Sequence, residues 1–265
     1  MNLHQPIDSV GGGFYLDIEQ IFYALTTTIT LSLAVLTLQR LLSGWWRQYY
    51  LLGVVLVLLL VGVVPPIASY VSNGNWTLSS AQKMYWILAL ASQVTIFLLV
   101  LQLIYRVGKE MATQAPLVRM LTIGAIIAAA VSVFVHFDNR PNTFMTAVTR
   151  DLTFLAALLN MILWRFLIQL RKRDFLLLAV CAGLGIQCTG DAIGHSFRIL
   201  ARQMGPSMAI HEFGNIIMSL SAVITIGIWH TAFTRSKYRA DQTAGAAKLP
   251  EPAGVSGGTN PHILS

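Results

Sequence analysis

Residues 84–105 read MYWILALASQVTIFLLVLQLIY, a run of 22 residues without one charged side chain. At 1.5 Å of rise per residue, such a run forms a helix of roughly 33 Å, which is long enough to cross the ~30 Å hydrocarbon core of a bilayer. Over the whole 265-residue chain, 55% of residues are hydrophobic and only 11% are charged, whereas about a quarter are charged in a soluble domain. The chain therefore belongs in a membrane, and its composition excludes a disordered chain, a coiled coil and a disulfide scaffold.

Hydropathy divides the chain into seven apolar segments of this kind. They are residues 20–39, 49–71, 84–105, 117–137, 152–170, 175–197 and 208–233. The sequence thus predicts an all-α, polytopic membrane protein with a seven-helix transmembrane domain over residues 20–235. Residues 1–19 form a short N-terminal segment before it. Residues 236–265 are rich in Ala, Gly and Pro, and we expect them to form a disordered tail.

The basic residues indicate how these helices are oriented. Thirteen Lys and Arg residues fall on one set of alternating loops and five on the other. Because basic loops stay in the cytoplasm, this bias predicts a cytoplasmic C-terminus and, with seven spans, an N-terminus outside. We expect a multi-pass protein of the cell inner (cytoplasmic) membrane whose first helix is retained, since residues 1–39 contain no Lys or Arg and a cleavable signal peptide begins with basic residues. The net charge of +7 has this topological role, so the expected partner is the lipid bilayer and not nucleic acid.

Polar and ionisable side chains gather near the outer ends of helices four to seven. They are His136 on helix four, Arg150 and Asp151 on helix five, Gln187, Asp191 and His195 on helix six, and His211, Glu212 and Asn215 on helix seven. An ionisable group at the bilayer centre costs a few kcal/mol and is usually retained because it has a partner. If these four helices are neighbours, the sequence predicts a polar pocket in the outer leaflet.

Three interpretations of this pocket compete. In the first, the residues are structural, and Asp191 or Asp151 pairs with Arg150 or Arg198. In the second, the pocket binds a ligand in a receptor or transporter-like protein. In the third, it holds a divalent metal ion or a haem, because His and Asp four residues apart on a helix can share an ion and facing imidazoles can hold haem iron. The candidate metal ligands are His136, Asp191, His195 and His211.

Asp191 is the single residue that most strongly indicates function. It lies sixteen residues after Phe175, which places it roughly 24 Å along a helix that crosses a ~30 Å core. A short carboxylate at that depth cannot reach the interface. Asp191 therefore needs an arginine, a histidine, water or a bound cation.

Small residues on these helices indicate close packing. Gly190 and Gly194 form a Gly-x-x-x-Gly motif, which lets two membrane helices approach each other. Helix one carries several hydroxyl side chains: Thr26, Thr27, Thr28, Thr30, Ser32 and Thr37. Hydroxyls can bond back to the carbonyls of their own helix, so packing accounts for these residues without a ligand.

Two further features of the spans have structural interpretations. Pro65 and Pro66 remove two backbone donors from the second segment and are expected to kink or end its helix. Cys181 and Cys188 lie seven residues apart on one helix face, which is too far for them to form a disulfide with each other.

One short pattern resembles the seven-helix zinc hydrolases, the superfamily of alkaline ceramidases and progestin/adipoQ receptors. Ser132-Val-Phe-Val-His136 is similar to their Ser-x-x-x-His motif, and Asp138 or Asp191 corresponds to their separate Asp. The His-x-x-x-His pair of that superfamily is missing, so His195 and His211 have to replace it from two helices. The resemblance implies a metal-dependent membrane hydrolase.

A second resemblance is to bacterial seven-helix integral membrane proteins without an assigned function. It depends on Met84-Tyr85-Trp86 leading to Leu103-Ile104-Tyr105-Arg106, and on the basic Arg171-Lys172-Arg173 between helices five and six. That resemblance brings no catalytic residues. The leading interpretation is accordingly non-enzymatic: a sensor or receptor-like membrane protein, or a subunit of a membrane assembly, that binds a small ligand or another membrane subunit. A metal-dependent hydrolase and a single-haem protein are the alternatives.

Overall fold

A computed structural model describes residues 18–64, 78–109, 115–137, 141–170, 174–203 and 208–246. Its elements are α1 Ile18–Leu42, α2 Trp46–Gly62, α3 Leu78–Lys109, α4 Ala115–His136, α5 Pro141–Gln169, α6 Phe175–Gln203 and α7 Met208–Ala246. No strand occurs in the described residues. The predicted all-α fold is therefore confirmed.

Six of the seven helices in the described ranges are long and apolar enough to cross a membrane. The qualifying stretches are Ile21–Leu42, Lys83–Lys109, Pro116–His136, Phe144–Gln169, Phe175–Ala201 and Ala209–Ser236. The remaining helix, α2, is apolar but has only 17 residues, and a span typically needs about 20. A multi-pass membrane protein is thus supported by six spans, and α2 corresponds to the first part of the predicted segment 49–71.

Several predictions fall at or beyond the limits of the described residues. Pro65 and Pro66, the expected kink, lie outside them, as do residues 247–265 of the predicted tail. Within α2 the helix is instead interrupted at Tyr49, where φ is −131° and ψ is 35°. The last helix continues to Ala246, past residue 236, where the tail was predicted to begin.

The helices form a closed ring with one helix outside it. Each of α1, α2, α3, α5, α6 and α7 packs against the next in that order, and α7 returns to α1. The remaining helix, α4, packs on α3 and α5 from outside the ring. Most of its large apolar side chains are exposed, including Ile123 and Phe134, as expected for a surface that faces lipid.

The two ends of the ring differ in composition. Near the turn between α1 and α2, large side chains such as Leu41, Tyr49, Leu103 and Phe233 are fully buried, and the rings of Tyr49 and Phe233 meet edge to face at 5.8 Å. Toward the opposite end the buried residues are increasingly polar. They include Thr26, Thr149, Thr153, Asp191 and His195. The apolar end supplies the core, and the polar end supplies the candidate site.

Glycines bring α6 and α7 together at the polar end. A Cβ added to Gly194 would lie 2.8 Å from the carbonyl oxygen of Gly214, and one added to Gly190 would collide with the Cβ of Ser221. Both contacts are closer than real Cβ atoms allow. The predicted packing role of Gly190 and Gly194 is therefore confirmed, with Gly214 as the matching small residue on α7.

Candidate functional site

The carboxylate of Asp191 is held by two neutral amides. Asp191 is only 3% exposed, and its Oδ2 accepts hydrogen bonds from Gln93 Nε2 and Gln187 Nε2, each at 2.8 Å. Gln187 lies one helical turn before Asp191 on α6, the spacing at which side chains on a helix meet. Gln93 comes from α3, across the ring. Asp191 thus joins two helices at the polar end of the bundle.

Threonines on α5 extend this network from Gln93. The hydroxyl of Thr153 lies 3.4 Å from Gln93 Oε1, and it donates to the carbonyl oxygen of Thr149 at 2.5 Å. Thr153 is fully buried. Gln93 therefore lies between a carboxylate on α6, to which its Nε2 donates, and a hydroxyl on α5, which lies beside its Oε1.

Asp191 borders a cleft of about 550 Å³ between α1, α2, α3, α6 and α7, called here the Asp191 cleft. Its polar lining residues include Thr26, Thr27, Thr30, Tyr85, Gln187, Asp191, Arg198, Asn215 and Ser219. The predicted back-bonding is observed for three of the six α1 hydroxyls: Thr26 donates to the carbonyl oxygen of Phe22 at 2.9 Å, Thr28 to that of Ala24 at 2.7 Å and Thr37 to that of Leu33 at 2.6 Å. Packing and cleft lining are therefore compatible roles for Thr26.

Arg198 lies at one rim of the Asp191 cleft. Its Nε donates to Asn215 Oδ1 on α7 at 2.8 Å, and Asn215 Nδ2 lies 3.4 Å from His211 Nδ1. Within the part of the chain that the structure describes, Arg198 forms no ion pair. The predicted pairing of Asp191 with Arg198 is thus not observed within 4 Å, although both residues line the same cleft.

A second polar cluster surrounds Asp151 at the junction of α4 and α5. Asp151 Oδ1 accepts two hydrogen bonds from Arg150, from Nε at 2.9 Å and from Nη2 at 2.8 Å. Its Oδ2 accepts from Ser132 Oγ at 2.8 Å and lies 3.1 Å from His136 Nε2. This arrangement matches the predicted structural pairing of Asp151 with Arg150, and it places the Ser-x-x-x-His residues of α4 on one carboxylate.

The Asp151 cluster borders its own cleft of about 600 Å³. Apart from the cluster and Ser196 of α6, the lining of this Asp151 cleft is apolar and comes from α4 and α5. Six of the nine residues predicted to form one pocket between helices four to seven therefore lie in two separate clefts. Gln187, Asp191 and Asn215 line the first, and His136, Arg150 and Asp151 line the second.

Three of the predicted residues occupy other positions. His195 is 4% exposed, and its Nδ1 has no hydrogen-bond partner among the described residues. The same is true of Glu212 Oε2. His211 contacts Asn215 at the edge of the first cleft. Throughout the described ranges, no three His, Cys, Asp or Glu side chains come together as potential ligands of one metal ion; Asp138 lies outside those ranges.

Gln93 is the main site residue that the sequence analysis did not identify. A signal for it was present, since an amide near the middle of an otherwise apolar span is retained when it can hydrogen-bond across helices. Neutral amides were predicted as site residues only where an ionisable side chain lay close by on the same helix, as Gln187 does beside Asp191, and the uncharged run around Gln93 has no such neighbour. The hydroxyl side chains of Tyr85, Thr149 and Thr153 were not predicted as site residues either.

Comparison with protein-family models, with curated proteins and with solved structures found no match to this chain. The site must therefore be interpreted from its own geometry.

Proposed function

We propose that this integral membrane protein binds a small polar ligand in the Asp191 cleft, as a sensor or receptor-like protein or as a subunit of a membrane assembly. The proposal rests on the burial of Asp191 and on the partners of its carboxylate. This carboxylate is buried in a membrane-spanning helix, lines a cleft, and has amides instead of a cation as its partners.

A purely structural role accounts for Oδ2 of this carboxylate but not for Oδ1. Both amide donors approach Oδ2, and no described residue donates to Oδ1. Burying an ionised carboxylate is expensive unless it is paired and fully hydrogen-bonded. The contrast with Asp151 is informative, because there both oxygens have partners and one partner is an arginine. The Asp191 cleft is therefore the better candidate for a binding site.

The experiment compares what the purified protein retains. Full-length protein in detergent is analysed by mass spectrometry for bound small molecules, alongside Asp191→Asn and the matched control Asp151→Asn in the other cleft. The proposal expects a compound that is present in the wild type and in Asp151→Asn but is depleted in Asp191→Asn. Identical small-molecule content in all three proteins would count against ligand binding at Asp191.

We further propose seven spans in the cell inner membrane, with the N-terminus outside and the C-terminus in the cytoplasm. The thirteen-to-five distribution of basic residues supports this orientation, and six helices of sufficient length support the multi-pass architecture. A reporter fused after Ser236 is expected to be active only in the cytoplasm, and one fused before Asp8 only outside. The reverse result would invert the proposed topology and place the polar end at the cytoplasmic face.

A metal-dependent membrane hydrolase is the second candidate, because Ser132 and His136 both contact Asp151. This grouping supplies one imidazole and one carboxylate, and a catalytic zinc site commonly uses three protein ligands. Elemental analysis of the purified protein tests it: stoichiometric metal that is lost in His136→Gln would favour a hydrolase. An absorbance spectrum of the same sample tests for a haem bound by His136, His195 or His211.

A further inference from the structure

We propose that the ligand of the Asp191 cleft is a small zwitterion, with its cationic group at Asp191 and its anionic group at Arg198. This inference rests on the proposed function and specifies the chemical class of the ligand. It is carried by two opposite charges that line one cleft without pairing with each other.

The two charges are placed at different points of the same wall. Asp191 and Arg198 both lie on α6 and both line the cleft, seven residues or about two helical turns apart. Seven residues correspond to roughly 10 Å of axial rise, and no ion pair within 4 Å joins the two side chains in the described structure. A ligand with separated charges can therefore contact both side chains at once.

Each charged group keeps hydrogen-bonding capacity for a ligand. Asp191 Oδ1 has no donor among the described residues, while Oδ2 is held by Gln93 and Gln187. Arg198 uses Nε to bind Asn215, and neither of its Nη groups has a partner among the described residues. The Asn215 contact orients the guanidinium, so its two Nη groups remain available as paired donors for a carboxylate.

No other charged side chain among the described residues lines the cleft. The described side chains that line it from α1, α2, α3 and α7 are hydroxyls, an amide and apolar groups, among them Thr30, Tyr85, Asn215 and Ser219. One negative and one positive group give the lining a net charge of zero. A cation alone would leave Arg198 unpaired and an anion alone would leave Asp191 unpaired, and unpaired charges are costly inside a membrane protein. A zwitterion pairs both.

The test measures the melting temperature of the full-length protein in detergent with four compounds at equal concentration. Two are zwitterions, 4-aminobutanoate and 6-aminohexanoate, and two carry one charge on a comparable chain, butylammonium and butanoate. At least one zwitterion is expected to raise the melting temperature, with an affinity at least tenfold higher than that of either singly charged compound. This comparison uses the wild-type protein alone, so it does not depend on the folding of any variant.

Variants then test which residue binds each charged end of the zwitterion. Asp191→Asn and Arg198→Gln are each expected to lower zwitterion affinity at least tenfold, whereas Arg119→Gln, an exposed charge on α4, keeps wild-type affinity. Arg198→Lys is expected to restore part of the affinity. Zwitterion binding that is unchanged in both cleft variants would overturn the proposal.

The remaining outcomes separate this inference from the proposed function. Binding of butylammonium or butanoate as tight as that of the zwitterions, and lost in Asp191→Asn, would refute the zwitterion and keep a ligand site at Asp191. Stabilisation by none of the four compounds would also refute the zwitterion as proposed. The ligand site itself would be refuted only by the mass-spectrometric analysis of retained compounds, if Asp191→Asn retained the same small molecules as the wild type.

Discussion

Gln93 Nε2 on α3 donates to Asp191 Oδ2 on α6 at 2.8 Å, a contact between residues 98 positions apart in the sequence. The partner of a buried carboxylate determines what the carboxylate can still do. An arginine would neutralise the charge, as Arg150 does for Asp151. An amide stabilises the charge by hydrogen bonding without neutralising it. No described cation neutralises Asp191 in this way, so a cationic group in the cleft can take that position.

Replacing Gln93 by Leu is expected to lower the free energy of unfolding by about 1–3 kcal/mol, because it removes one of the two donors to a buried carboxylate. The measurement is detergent-based unfolding of the purified protein. Gln102 offers a matched control on the same helix, since its buried Oε1 has no partner among the described residues. Gln102→Leu is expected to be neutral or stabilising. An equal decrease in the free energy of unfolding in the two variants would mean that the hydrogen bond from Gln93 to Asp191 makes no specific contribution to stability.

Asp191→Asn is expected to change stability by less than Asp191→Leu. Asn keeps an acceptor oxygen for the two glutamines, and no described cation is left without its partner. Leu leaves both amide donors unpaired, which costs about 1–3 kcal/mol. Melting temperatures of the two variants decide the point. If Asn were as destabilising as Leu, the carboxylate charge itself would have to be paired with a cation in the fold.

Gly194→Ala is expected to destabilise the protein by about 1–3 kcal/mol through overpacking. The added Cβ would meet the Gly214 carbonyl oxygen at 2.8 Å, and a backbone atom cannot move aside as a flexible side chain can. Gly227→Ala on α7 is the control, because nothing lies within 4 Å of its added Cβ. Thermal unfolding should separate the two variants. Similar melting temperatures would show that α6 and α7 can move apart at no cost.

Ser132→Ala is expected to cost about 0.5–1.5 kcal/mol, since it removes one hydrogen bond to Asp151. Ser196 lines the same cleft, but Ser196→Ala removes only the hydrogen bond that Ser196 donates to the carbonyl oxygen of Ala192 in its own helix. We expect that control to have a smaller effect in the same unfolding assay. The opposite order would place the stabilising contact of this cleft on α6 instead of at the α4–α5 junction.

Cys181 and Cys188 are expected to resist modification while the protein is folded. Both are free thiols with no exposed surface, and two turns of helix keep them too far apart for a disulfide. Labelling with N-ethylmaleimide, followed by mass spectrometry, should be slow in mild detergent and fast in a denaturing one. A cysteine introduced as Ser43→Cys, at an exposed turn residue, provides the fast reference in the folded protein. Rapid labelling of the native thiols would show that the core around them opens.

The fold was predictable because its signal is local. A bilayer requires long uncharged helices, and such runs can be recognised without knowing what they contact. The same is true of the Gly190 and Gly194 motif, whose spacing on one helix already indicates a packing face. The second segment was the exception, since its described helix ends at Gly62, before the two prolines that follow.

The site was less predictable because it depends on which helices are neighbours. Spacing along one helix correctly joined Gln187 to Asp191, but nothing in the sequence indicated that Gln93 lies opposite them. The expectation of one pocket assumed that helices four to seven adjoin. In the structure α4 packs outside the ring, so its His136 meets Asp151 and the threonines of α1 border Asp191.

The closure of the ring by α1 and α7 has a consequence for biosynthesis. The walls of the Asp191 cleft come from helices at the two ends of the ring, so no intermediate on the ribosome can hold the cleft before α7 has been made. Until then α1 has no α7 to pack against. The hydroxyls of Thr26 and Thr28 donate to carbonyl oxygens of α1 itself, so these two polar groups are satisfied in lipid before α7 is present. The Asp191 cleft is therefore complete only when the bundle is complete, and a truncated chain ending before Met208 would lack the α7 wall of that cleft.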